Sequence, residues 1–384
     1  MRVLHIGKFF PPYPGGIERY GADLAAAQAA AGIATALLAH APPGVHRTRR
    51  FDAAGVEVTL AACHGQLLYA PVGPSFPLLL ARTLRRFQPD LLHLHLPNTS
   101  AFWALLSPAA RKLPWIVHWH ADIPLDIGGR RALRVAYALY RPWEQALLRR
   151  ARAIVATSAP YLEASAALAP WRDKTHVVPL GIAPSPAIAS GHDDAHGLWP
   201  ASGLRLLAVG RLSYYKGFDV LLHALAAAPA AQLLLIGTGE CEAALRRLAG
   251  ELRVEERVRF AGHADDALLT RAYAHADAFC LPSIDRAEAF GLVLLEAMRA
   301  GLPVIASNIR GSGVGHVVRH GETGLLVPPR DATAMAAAIA ELAASAELRR
   351  RYGVAGRQRW QDEFTLAASA QRIAALYRRV LGPS

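Results

Sequence analysis

Residues Arg286–Ser307 read RAEAFGLVLLEAMRAGLPVIAS. The preceding LPS closes an apolar run, IDRAEAF makes a polar loop, and GLVLLEAMRAG has the composition and length of a helix stopped by Gly301; LPVIAS is then a short apolar strand. Strand, loop, helix, strand is the repeating unit of a parallel sheet covered by helices. Two acids sit inside this unit: Glu288 in the loop, and Glu296 eight residues later in the helix. Gly291 falls close to the helix N-terminus, where backbone N–H groups without helical partners and the positive dipole end favour a phosphate. Glu296 lies roughly 7 Å further along the axis at about 1.5 Å per residue, in reach of a ribose hydroxyl displaced from such a phosphate. Glu288, on the near side, would be placed to face a sugar bound beyond such phosphates. A helix-start acid favoured by the dipole would account for Glu296 alone, but not for the loop acid beside it.

Working outward, the same alternation runs through most of the chain. MRVLHIG, IATALLAH, VEVTL, DLLHLHL, WIVHWHA and AIVATS are strand candidates separated by helical segments such as YGADLAAAQAAAG, stopped by Gly32, and SFPLLLARTLRRF. Residues Pro179 to Gly203 break the pattern with Pro, Gly, Ser and Asp and read as a linker. The alternation restarts with LRLLAVG, AQLLLIG, VRFAG, AFCLPS and LPVIAS. The expected fold is therefore α/β, with two Rossmann-like domains in succession. A ligand site is expected in a cleft between them, because the carboxyl ends of parallel strands line such clefts. No GxGxxG is present, and GTGE (Gly237–Glu240) is only a fragment of one, so a dinucleotide oxidoreductase or epimerase is poorly supported.

Composition sets outer limits. A chain of 384 residues, 53% hydrophobic, suits two domains rather than one core. No apolar run approaches the ~20 residues of a membrane helix, and MRVLHIGKFF lacks a signal-peptide layout, so a cytoplasmic protein is expected. Cys63, Cys241 and Cys280 are odd in number and far apart, suggesting neither disulfides nor zinc, only buried small side chains. The net charge is +12; residues 1–184 hold 20 Lys and Arg against 10 Asp and Glu, and the remainder 22 against 20. The excess thus sits in the first half, notably in RRALRVAYALYRPWEQALLRRAR, between Arg130 and Arg152. Bases alternating with aromatic and aliphatic residues suit an anionic membrane face or a polyanion; an Arg-rich solvated helix is the plainer alternative.

Several further residues carry chemistry. Arg211 and Lys216 in GRLSYYKG follow a strand, where two cations would neutralise a diphosphate leaving group. Gly15 and Gly16 in YPGGIE permit a backbone approach that a Cβ would block. His118 and His120 stand two apart in IVHWHAD and project to one face of a strand end, with Asp122 continuing that side if the strand persists. Such a pair can bind metal, but the sequence shows no third ligand.

The spacing EAFGLVLLEAM, followed by a strand and GLPVIA, resembles the E-x7-E motif of glycosyltransferase family 4, retaining nucleotide-sugar enzymes of GT-B fold. The resemblance spans nearly the whole chain: PPYPGGIERY, HLHLPN, VHWHADI, PLGI, GRLSYYKG and DEFTLAASAQRIAALYRRVL occur in the family's order. It implies an acceptor-binding N-terminal domain over 1–180, a nucleotide-sugar domain over 181–364, and a last helix, 365–384, packed back on the first. It implies catalytic roles for His120, Glu288, Arg211 and Lys216. Donor contacts would come from Gly16, Arg211, Lys216, Glu288, Phe290, Gly291, Leu292, Val293 and Glu296, and acceptor contacts from Gly15, Gly16, His118 and His120. No cofactor and no essential metal are implied; HDDAH offers adjacent acids without a DxD context. The implied donor is a UDP- or GDP-sugar, and the implied acceptor a lipid-linked glycan in cell-surface polysaccharide or lipopolysaccharide assembly. The protein would then be cytoplasmic or peripheral on the inner membrane face. A soluble small-molecule acceptor is the alternative. A basic nucleic-acid binder is a competitor of another class, disfavoured because no RNP-type motif or recognition helix accompanies the charge, and nucleic acid is not expected as a partner. A phosphorylase of similar fold would need a pyridoxal lysine that no motif identifies.

Overall fold

The computed structural model describes residues 1–67, 70–123, 131–184, 197–200 and 202–382. HDDAH lies outside them, as does most of the expected linker. The chain divides into two compact units, residues 1–183 with 366–384, and residues 184–365.

In chain order the first unit runs β1 (Arg2–Phe9), α1 (Gly16–Ala30), β2 (Ala34–His40), β3 (Arg49–Ala53), β4 (Val56–Ala61), a two-residue pair β5 (Gln66–Leu67) and β6 (Ala70–Pro71), α2 (Phe76–Phe87) and β7 (Leu91–Leu96). It continues with α3 (Phe102–Leu106), α4 (Pro108–Arg111), β8 (Trp115–Trp119), α5 (Arg131–Arg150), β9 (Ala153–Ala156), α6 (Ala159–Ala164) and β10 (Thr175–Val177). Its main sheet has the order β10-β9-β8-β7-β1-β2-β4-β3, parallel except at β3. The strands β2, β7, β8 and β9 are almost wholly buried, as strands covered on both faces must be, and so they read as mainly apolar runs, interrupted by Thr35 and His40 in β2 and by histidines in β7 and β8. The edge strand β3, RRFDA, is exposed and shows no such run, which is why the sequence conceals it. It is made by a two-residue hairpin, Ala53 opposite Val56, with φ of +51° at Ala54 and +77° at Gly55.

The second unit runs β11 (Leu204–Val209), α7 (Phe218–Ala227), β12 (Ala231–Ile236), α8 (Glu242–Glu251), β13 (Val258–Gly262), α9 (Asp266–His275) and β14 (Ala278–Leu281). Then follow α10 (Leu292–Ala300), β15 (Val304–Ser307), α11 (Val314–Val317), β16 (Gly324–Val327), α12 (Ala332–Ala344) and α13 (Ala346–Glu363). The sheet order is β13-β12-β11-β14-β15-β16, all parallel. One face packs Leu206, Ala208, Leu233 and Leu235 against Leu221, Leu225 and Ile339. Helix starts are fixed locally: Asp265 accepts from Leu268 N at 2.8 Å and Asp331 from Ala334 N at 2.8 Å. The strand β16, GLLV, is four residues long and escapes a periodicity reading.

The last helix, α14 (Leu366–Leu381), returns to the first unit. Leu366 N donates to Ile182 O at 2.9 Å, and Ser369 Oγ donates to Pro179 O at 2.8 Å. Its buried side holds Ser369, Ile373, Leu376 and Tyr377, while Leu366 and Val380 are only half-buried. It lies against α1, with Tyr20 Oη and Ser369 Oγ 2.8 Å apart. Cys63 and Cys280 are buried, and Cys241 half-buried.

Candidate active site

In a parallel open sheet the ligand crevice lies beyond the carboxyl ends of the strands where the winding reverses. In the second unit that point falls between β11 and β14. The segment after β11 makes one short turn, Tyr214–Lys216, and the segment after β14 is the loop before α10. From these two segments Lys216 and Glu288 meet: Nζ donates to Glu288 Oε2 at 2.6 Å, and Ser283 Oγ donates to the same oxygen at 2.9 Å. Both side chains are buried. Burial pulls the Lys216 ammonium down, but Glu288, Tyr215 and Glu296 together offset that and hold its pKa above the ordinary value. The loop is pinned by Ser312 Oγ, which donates to Glu288 O, and by Gly313 N, which donates to Ala289 O at 2.8 Å.

Arg211 is not drawn into this pair. Its guanidinium reaches Glu240 at 3.2 Å, with both side chains more than half exposed. Glu240 belongs to the GTGE segment, which has a structural use here: Leu212 N donates to Thr238 O at 2.9 Å and Cys241 N to Leu212 O at 2.9 Å. A Cβ on Gly239 would strike the Leu212 carbonyl. The glycine therefore lets two loops at neighbouring strand ends lie backbone to backbone.

Gly291 caps α10 with φ +86°, and Gly301 closes it with φ +78°, conformations that suit glycine. Leu292 and Val293 open the helix half-buried, with Phe290 buried before them. Glu296, one turn in, accepts from Tyr273 Oη at 2.8 Å. Burial and then the Glu296 charge push the Tyr273 phenol well up, so it remains a donor.

In the first unit Gly15 and Gly16 are exposed at the start of α1. Below that helix lies an array of imidazoles that the sequence reading recognised only in part. His5 on β1 pairs in register with His93 on β7, and His95 with His118 on β8; His120 follows β8 directly. The alternation LHLHL carried the signal, since residues two apart on a strand share a face. The missing third imidazole beside His118 and His120 is His95, and His5, His93 and His95 make a second trio; ligand atoms within each lie within 4.8 Å. The rings stack, His118 on His120 at 4.2 Å and His93 on His95 at 4.6 Å. Burial pushes His5 down to about 4 and His120 to about 3. It also holds His93, His95 and His118 well below the usual range, helped by their neighbours. All five are neutral at pH 7. Asp122 does not continue the strand, which ends at Trp119; its Oδ1 accepts from Trp119 Nε1 at 2.9 Å and from Ser165 Oγ at 2.6 Å.

Comparison with known proteins matches two family profiles. The one described as "Glycosyl transferase 4-like domain" covers residues 15–181, and "Glycosyl transferases group 1" covers residues 194–359. The chain is 31% identical to a phosphatidyl-myo-inositol mannosyltransferase of Mycobacterium leprae over 97% of this chain and 96% of that one. It is 29% identical to O-antigen chain mannosyltransferase C of Escherichia coli over 99% of each. Among solved structures, Alr3699/HepE from Anabaena in complex with UDP-glucose superposes with a TM-score of 0.74 at 22% identity, covering 99% of this chain and 100% of that one.

Proposed function

The chain belongs to glycosyltransferase family 4, and from that membership we propose that it transfers a hexose from a UDP- or GDP-sugar to a hydroxyl of a lipid-linked glycan acceptor, with retention at the anomeric carbon. The observation that carries the reading is the buried Lys216–Glu288 pair at the switch point of the second sheet, beside the N-terminus of α10. An ammonium held charged there offsets the charge that develops on a departing diphosphate, and the first N–H groups of α10 add to it. In the proposed step the bond from the anomeric carbon to the diphosphate oxygen breaks and a bond to the acceptor oxygen forms on the same face. The acceptor proton passes to the leaving phosphate. Glu288 orients the sugar hydroxyls, Glu296 meets the ribose, and Arg211 exchanges Glu240 for a phosphate when donor is present. By the family resemblance the first unit supplies His120 for the reacting sugar, and His118, Gly15 and Gly16 for the acceptor. No step in this proposal passes through a metal ion.

The lipid-linked acceptor is supported by α5. Val135, Leu139 and Trp143 recur every four residues along one stripe and are 64%, 73% and 42% exposed. Trp103 and Leu106, on the neighbouring α3, are exposed too. The sequence of α5 is also rich in arginine, and an exposed apolar stripe on a basic helix suits an anionic lipid surface. Among the described residues no helix is long and apolar enough to cross a membrane. Two of the relatives are named for an O-antigen chain and for phosphatidyl-myo-inositol, in keeping with a lipid-borne acceptor.

A thermal-shift panel of UDP-, GDP- and ADP-sugars tests the donor. One class should stabilise selectively, by about 2.7 kcal/mol at a hundredfold excess over Kd. NMR of the product then reads the anomeric configuration. No stabilisation by any nucleotide sugar, or an inverted product, would overturn the proposal.

A further inference from the structure

Seven hydrogen-bonding groups in the first unit form one unbranched chain that begins and ends on β8 and its extension. His120 Nε2 is 2.9 Å from His95 Nδ1, and His95 Nε2 is 3.0 Å from His5 Nδ1. His5 Nε2 is 2.9 Å from Gln28 Oε1 on α1. Gln28 Nε2 donates to Tyr377 Oη on α14 at 3.0 Å, Tyr377 Oη meets His93 Nδ1, and His93 Nε2 is 3.2 Å from His118 Nδ1. At the two ends, His120 Nδ1 and His118 Nε2 are buried without a hydrogen-bond partner among the described residues.

A neutral imidazole carries one N–H and one lone pair, so fixing either nitrogen fixes the other. Gln28 alone presents two faces of opposite sense, an accepting oxygen toward His5 and a donating nitrogen toward Tyr377. Its oxygen requires an Nε2–H on His5. His5 Nδ1 must then accept, so His95 carries its proton on Nε2, and by the same step so does His120. On the other side the Gln28 amide occupies a lone pair of the Tyr377 oxygen. Tyr377 therefore donates to His93 Nδ1, and His93 donates from Nε2 to His118 Nδ1.

We propose that Gln28 is a positioning residue that sets the tautomer of all five buried histidines at once, leaving His120 with a bare Nδ1 acceptor and His118 with an Nε2–H donor. The two ends lie side by side, on rings stacked at 4.2 Å. A group meeting His120 at Nδ1 must bring a proton of its own, as a hydroxyl does, and one meeting His118 must accept. That consequence for transfer rests on the reading of His120 as the residue nearest the sugar; the tautomer pattern does not.

Long-range proton–nitrogen NMR of the full chain, labelled at histidine, distinguishes protonated from bare ring nitrogens. The wild type should show five Nε2–H tautomers that persist across neutral pH. Gln28→Glu supplies acceptors on both sides, so Tyr377 should turn its proton to the introduced carboxylate. His93 and His118 should then switch to Nδ1–H while His5, His95 and His120 keep Nε2–H. Tyr377→Phe, a gentler change, should leave His93 and His118 as tautomer mixtures and the other three unchanged. Tautomers that are mixed or Nδ1–H in the wild type, or that ignore both substitutions, would overturn the proposal. A protein showing the expected pattern but binding no nucleotide sugar would remove the functional reading and leave this one standing.

Discussion

Lys216 and Glu288 lie 72 residues apart in sequence and share one short hydrogen bond in a place water scarcely reaches. Removing one partner strands the other, which for buried pairs costs about 3–5 kcal/mol. Lys216→Met should therefore lower stability as well as turnover, the latter by roughly a hundredfold, the scale of losing one electrostatic stabiliser. The double variant Lys216→Met/Glu288→Gln separates the two effects: denaturation should show stability largely regained, and kinetics should show turnover still lost. Activity regained along with stability would mean that the pair serves folding alone. Glu296→Ala, by contrast, should chiefly weaken nucleotide binding.

Glu144 in α5 is a second buried acid. Its carboxyl is fully buried, accepts from Tyr137 Oη at 3.1 Å, and leaves Oε2 without a partner among the described residues. Burial first, and the nearby Asp122 charge after it, raise its pKa to about 7. Between about 4.5 and 7 the folded chain then holds a proton that the unfolded chain has lost, so stability falls as pH rises through that window. Glu144→Gln should remove this slope and raise stability at pH 8 by about 3 kcal/mol, with little gain at pH 4. Denaturant midpoints at the two pH values measure it; an equal change at both would exclude the linkage. Sequence alone marked Glu288 and Glu296 through their spacing and family context. It did not mark Glu144, or the bond between Lys216 and Glu288, because both depend on burial and on partners brought in by tertiary folding.

At the scale of elements, most core strands were legible because they are covered on both faces and so spelled mainly in apolar residues. Where coverage ends the legibility ends with it, as β3 shows; β16 is buried but too short, at four residues, for a period to register. The histidine strands are an intermediate case: LHLHL reads as a strand, but neither the register that brings His5 beside His93 nor the closure by α14 is written locally. The basic run in α5 was legible as charge, and its apolar stripe emerges only with the exposure of Val135, Leu139 and Trp143. If that stripe rests on lipid, the protein should bind vesicles containing acidic phospholipid, less so as salt rises, and neutral vesicles weakly. Leu139→Asp should reduce vesicle binding several-fold without changing the melting temperature. Binding that is unaffected by salt and by Leu139→Asp would assign α5 to another purpose.

At the scale of the whole molecule, the second unit is continuous in sequence and the first is not. The first unit owns α14, which supplies Tyr377 to His93 and Ser369 to Tyr20. Deleting residues 366–384 should uncover the buried face of α1 and leave Gln28 and His93 without Tyr377. Hydrogen exchange should then show loss of protection across β1, β7 and β8, with β11, β12 and β14 nearly unchanged. Uniform loss over both units, or none, would contradict the division.

That same return of the chain has a bearing on synthesis. A ribosome delivers residues in order, at about 5–20 per second, and domains made of contiguous sequence can fold as they emerge. Here the unit begun first is finished last: for the time needed to make about 180 further residues, at the rates just given, its sheet waits with one side unroofed and Gln28 without its phenol. The second unit needs no such wait. Nascent chains halted between residues 300 and 365 should accordingly present a sticky, chaperone-seeking amino-terminal half.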